Sequence, residues 1–233
     1  VLNGNVTFNG TSGGSKTINN GTTSFFNLII AGTNLYQLGS NTTVRNDLSI
    51  AAGASFDLAP APYNLTIGRN YTNAGTFYSQ TGKVTFNATS GTISINSGSS
   101  SFYDVDINAP GVTYQLGGTM SLKHNLNVIS GDLNLNSNIL NLGDGVGFDF
   151  FTITGTVNAN AGSSVRMGAS ALLLVNSGGT LKLLGASSSN PATLTRQSAG
   201  NYTVSINNGG SIWARYYDIQ YTNTNGIYMY SGS

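Results

Sequence analysis

Side chains able to do chemistry are sparse in this chain, which has nine Lys and Arg, eight Asp, one His and no Cys or Glu in 233 residues. The nearest approach to a paired-acid site is Asp104-Val105-Asp106. Tyr103, Val105 and Ile107 alternate with the two acids, so a strand here turns both carboxylates outward, about 7 Å apart. That spacing suits a paired-carboxylate glycosidase or a calcium site. An internal copy of the segment carries Asn27 and Ile29 at the same places, however, and a structural surface ladder is the simpler reading. Residues 143–149, GDGVGFD, have the glycine-and-acid look of a calcium loop. They lack the alternating acids and terminal Glu of an EF-hand loop and do not recur as a calcium nonapeptide would, so a plain coil-to-coil turn is expected and no metal. His124, the single histidine, has Asn46 at its place in the copy. With no Cys, Asp or Ser in register with it, it reads as a turn residue. No serine stands in a nucleophile-elbow context, so neither catalysis nor a cofactor is expected. The tail is dense in aromatics: Trp213, Tyr216, Tyr217, Tyr221, Tyr228 and Tyr230. Such rings stack on sugars or seal the end of a core, and sealing or docking is the favoured role. The candidates for glycan or partner contact are thus Asp104, Asp106, Trp213, Tyr217 and Tyr221.

What must position these residues is a segment that the chain writes twice. Residues 24–58 read SFFNLIIAGTNLYQLGSNTTVRNDLSIAAGASFDL and residues 101–135 read SFYDVDINAPGVTYQLGGTMSLKHNLNVISGDLNL. Phe25 recurs as Phe102, Leu28 as Val105, Ile30 as Ile107, Tyr36-Gln37-Leu38-Gly39 as Tyr114-Gln115-Leu116-Gly117, Leu48 as Leu126 and Gly53 as Gly131. The opening Asn5-Val6-Thr7-Phe8-Asn9 returns around Val84 and Phe86, which sets a period of about 78 residues. Apolar spacing persists while polar identity drifts, as a scaffold requires.

Within each copy, short alternating strands return every ~17 to 22 residues between Gly, Asn and Ser turns, a solenoid spacing. The series runs Leu28-Ile30, Leu48-Ile50, Leu65-Ile67, Val84-Phe86, Val105-Ile107 and Leu126-Val128. Stacked at ~4.8 Å, such coils give about ten turns and roughly 50 Å of rod. The fold class expected is all-β, a right-handed parallel β-helix over residues 1–233 as one continuous domain, with internal repeats at 1–80 and 81–150 and divergent coils at 151–233. Tandem antiparallel β-sandwiches are the alternative. They rank second because two-residue Asn-Gly hairpin signals are few, chiefly Asn20-Gly21 and Asn208-Gly209.

Composition narrows the partners. Only 7% of residues are charged and the net charge is +1, with 31 glycines. Asn, Thr and Ser therefore supply the polar surface, and these residues are poor in helix interiors. Scattered Lys16, Arg45, Lys83, Lys123 and Arg215 offer no patch for nucleic acid. No run approaches the ~20 apolar residues of a membrane-spanning helix, and the longest, residues 171–175, reads as a buried strand. The chain begins at Val1 and ends in a Gly/Ser run, which suggests a processed product or a segment of something longer.

The tandem GxVTFNxTSG, FxNLxI, YxLGS and NDLSI patterns, and the stretch from Gly178 to Tyr221, resemble the parallel β-helix repeats of large secreted bacterial surface proteins, the adhesin-like and hemagglutinin-like exoproteins. The resemblance implies cell-surface or extracellular display and a structural or adhesive role, and it carries no catalytic residues across. It also makes β-helical polysaccharide lyases the obvious enzyme comparison. These cluster acids with a basic residue on neighbouring coils, and the Asp104–Asp106 stretch itself contains no basic residue. The expected partners are copies of the same protein, as flanking repeats or by end-to-end association into a filament, and surface glycans.

Overall fold

A computed structural model describes residues 3–230. Among them there is no helix, and every strand ladder is parallel, which a two-residue hairpin cannot produce. The chain is a parallel β-solenoid of about ten turns. The paired-sandwich alternative fails on the direction of the strands.

Each turn visits three faces in the same order. The first face stacks Asn5–Phe8, Asn27–Ile30, Leu48–Ile50, Tyr71–Asn73 and Thr92–Asn96, and continues to Thr180–Leu184 and Ser211–Arg215. The second holds Ser15–Ile18, Leu35–Leu38, Ser55–Asp57 and Thr76–Tyr78, then resumes as a separate sheet from Met120–Leu122 to Tyr217–Ile219. At the break, Phe102 makes a single bridge to Leu122, and Ser100 Oγ accepts the Phe77 N–H at 2.9 Å. The third face runs from Thr42–Val44 through Leu65–Ile67 and Lys83–Phe86 to Tyr202–Ile206 and Thr222–Met229. Two long strands, Asp104–Leu116 and Leu126–Asn134, turn the corner from third face to first through register shifts, so the first and third faces join as one 17-stranded sheet.

Alternation decides which side chains enter. Leu28, Ile30, Val44, Ile50, Leu65, Ile67, Val105, Ile107 and their successors are wholly buried in one continuous core, each contributing about 1.5–3 kcal/mol. Aromatic rings fill its middle. Tyr71 lies 5.4 Å from Phe102 and 5.9 Å from Phe77, and Phe86 lies 5.4 Å from Tyr114, in tilted and edge-on contacts. Separations between register partners range from 19 residues (Tyr114 to Leu133) to 31 (Leu181 to Ile212).

The long sequence repeat does not coincide with whole turns. Leu28 stands on the first face and its copy Val105 on the third; Tyr36 stands on the second and its copy Tyr114 on the first. Counting Phe102 as a strand position, the path from Leu28 to Val105 passes eleven positions at three per turn, or three and two-thirds turns. The second copy is thus displaced by one face around the axis. For the same reason the series read from sequence mixes faces: Leu48-Ile50 pairs with Tyr71-Thr72-Asn73, not with Leu65-Ile67.

Candidate functional site

Asp104 and Asp106 open the strand Asp104–Leu116 on the third face, between Lys83–Phe86 and Leu126–Asn134. Both side chains leave the strand on the side opposite the wholly buried Val105 and Ile107, as the alternation predicts, but they form a ladder with neighbouring coils and not a free acid pair. Asp106 is buried, with Oδ2 2.9 Å from Lys83 Nζ and Oδ1 accepting Asn127 Nδ2 at 2.8 Å. Lys83 comes from the preceding coil and Asn127 from the next, so the basic neighbour missing from the strand itself is supplied by stacking. Asp104, half-buried, receives the Asn125 N–H at 3.0 Å, and His124 Nδ1 lies 2.8 Å from the same oxygen. His124 is a turn residue as expected, but its lack of an acidic partner is corrected: Asp104 sits beside it, and the Tyr103 ring stacks on its imidazole at 4.9 Å.

The internal copy explains Asp104. At the equivalent place Asn27 Oδ1 accepts the Asp47 N–H at 3.1 Å and Asn46 Nδ2 at 2.7 Å, so Asn27, Asn46 and Asp47 do what Asp104, His124 and Asn125 do. The ladder continues upward in both places: Asp47 Oδ1 accepts the Asn70 N–H at 3.1 Å, and Asn125 Oδ1 accepts the Phe150 N–H at 2.9 Å. Each such side chain satisfies a backbone donor just before the strand of the next coil, which would otherwise lack a partner. Chemically the two acids are therefore occupied, Asp106 by an ammonium and an amide, Asp104 by a backbone donor and an imidazole.

The aromatic tail is outward. Trp213, Tyr217 and Tyr221 are exposed, as are Tyr216, Tyr228 and Tyr230, so sealing the core is not their work. Ile212, Ile219 and Ile227 do that instead, packed against the core from the same segment. The three candidates do not share a platform: Trp213 belongs to a first-face strand, Tyr217 to a second-face strand and Tyr221 to the turn beyond it. Two of them hold cations, Lys182 Nζ 5.5 Å from the centre of the Trp213 ring and the Arg196 guanidinium 3.8 Å from that of Tyr221. Sequence reading missed these pairs because their members lie on different coils.

Residues 143–149 leave the stack between Ile139–Leu142 and Phe150–Ile153, exposing Val146 and Phe148. At the neck of this loop Asp149 is 0% exposed, and neither of its carboxylate oxygens has a hydrogen-bond partner. Burial pushes its carboxyl above the usual range and Asp144 adds to the rise, while His124 opposes it. Among the described residues no three His, Cys, Asp or Glu side chains gather as a metal cluster. Compared with known proteins, the chain matches no family model, no curated protein and no solved structure.

Proposed function

We propose that this chain is an extracellular or cell-surface structural element, adhesive through its repeated surface and extended by contact between solenoid ends. The observation that carries the reading is the pair of outermost coils. At one end the strand Asn5–Phe8 pairs, among the described residues, on one side only, and Val6, Phe25 and Phe26 line a cleft of about 750 Å³. At the other, among the described residues, Thr222–Met229 pairs only with Tyr202–Ile206, and Tyr228 and Met229 are exposed. An unpaired strand edge is a template for another strand, and each solenoid face offers one. Further coils, from flanking repeats or a second copy, would continue all three ladders. A surface poor in charge and rich in Asn, Ser and Thr, together with the resemblance to secreted surface repeats, supports display outside the cell. Sedimentation and electron microscopy of the purified chain at rising concentration test the contact between copies: end-to-end strings are expected, and isolated rods at every concentration count against it.

One observation favours a second reading, a polysaccharide-binding or polysaccharide-cleaving module: Lys83 and His124 bring bases beside Asp106 and Asp104 on adjacent coils. Asp104→Ala and Asp106→Ala separate the two readings. Loss of polysaccharide cleavage or binding in either variant favours the module, and unaltered behaviour favours the scaffold.

A further inference from the structure

We propose that the loop of residues 143–149 is a binding site for a hard divalent cation of the calcium class, with the Asp149 carboxylate as its anchor. The carboxylate is wholly removed from solvent, and neither oxygen receives a hydrogen bond. A buried carboxylate in that condition is costly unless a proton or a cation neutralises it. It closes the loop's neck, because a Cβ on Gly143 would fall 2.2 Å from its Oδ2, and Gly143 sits at φ +88, where a side chain is strained in any case.

A second negative charge stands close by. Asp144 is exposed on the same loop, uses one oxygen to accept the Val146 N–H at 2.9 Å, and bears on Asp149 electrostatically. A proton on Asp149 neutralises one of these charges; a divalent ion neutralises both. Among the described residues nothing donates a hydrogen bond to the backbone carbonyls of residues 144–148, which leaves them free to act as further oxygen donors. The donors this loop offers are carboxylate and carbonyl oxygens without sulfur, and the imidazole of His124 is already set against Asp104. Hard, oxygen-only sets of this kind, completed by water, select calcium over zinc or copper.

Calcium titration of the chelator-treated protein tests the site, read by calorimetry and by thermal unfolding with and without calcium. Saturable binding and a rise in Tm of roughly 3–8 °C at saturating calcium are expected. Asp149→Asn, which keeps the shape and removes the charge, abolishes both. Asp144→Asn, at an exposed position where the amide oxygen still accepts the Val146 N–H, weakens binding at least ~10-fold and remains readable even if the Asp149 variant does not fold. No saturable heat up to 10-millimolar-range calcium, or binding that survives either substitution unchanged, overturns the proposal.

Discussion

Tyr36 and Tyr114 show why a residue recurs in a chain that lets its surface drift. Their hydroxyls accept the N–H of Gly10 at 2.6 Å and of Ala88 at 2.8 Å, so each ring fills the core while its tip satisfies a turn of the preceding coil. Tyr114→Phe strands the Ala88 N–H in the interior, and we predict a loss of about 1–3 kcal/mol, or about 2–4 °C of Tm per kcal/mol, in a circular dichroism melt. Burial also governs ionisation: Tyr114 is pushed up to about 12, and Tyr71 and Tyr202 are raised well above their ordinary value, all chiefly by desolvation. The neutral phenol is the form the fold favours, so this contribution is intact below the ordinary tyrosine value of ~10 and is lost as pH rises through the raised folded values. Absorbance titration should therefore show these three ionising only together with unfolding; their ionisation at the ordinary tyrosine value in folded protein would contradict the burial.

At the scale of the strand and its turn, the cell that repeats is an apolar alternation entered through an Asn or Asp that receives the next coil's backbone N–H. Asp47→Ala removes the acceptor of both the Asn70 N–H and its side-chain amide, and should cost about 1–2 kcal/mol with faster amide exchange at Asn70. The pair Lys83–Asp106 joins a lysine side chain 42% exposed to an aspartate side chain 13% exposed, so Lys83→Met leaves a largely buried carboxylate with only the Asn127 amide and should cost about 1–3 kcal/mol. A change of less than about 0.5 kcal/mol would mark it as a mere surface pair. Local alternation made the strands, the inward residues and the all-β solenoid legible in the sequence, because each depends on neighbours two residues apart. Partnerships across coils were not legible. The burial of Asp106 by Lys83 and Asn127, the Asp104–His124 contact and the displacement of the repeat by one face all depend on register between segments some twenty residues apart. Coil lengths of 19 to 31 leave that register unfixed by any single period. Asp149 was hidden for a related reason: five exposed residues precede it, and nothing local marks it as the one that turns in.

Across the whole molecule, the displaced repeat implies that the three faces are chemically interchangeable, since one sequence pattern serves the first face in one copy and the third in the next. Stability in such a stack is a sum over neighbouring coils, so the outermost coils open first and gain most from a further coil set against them. With so few charges, contact between ends has to draw on backbone pairing and apolar side chains. Raising salt from about 50 to 500 mM should therefore leave any association seen in sedimentation intact, and dissociation by salt would assign it to ion pairs. All of this depends on consecutive coils lying parallel and in register. Cysteine cross-linking reads that directly, because the chain has no cysteine of its own. Thr43, Thr66 and Thr85 are successive register partners on the third face, whereas Thr43 and Ser49 belong to strands adjacent in sequence but on different faces. Mild oxidation should join Thr43→Cys to Thr66→Cys, and Thr66→Cys to Thr85→Cys, and leave Thr43→Cys with Ser49→Cys unjoined. Cross-linking of the last pair while the first two stay reduced would contradict the parallel stack.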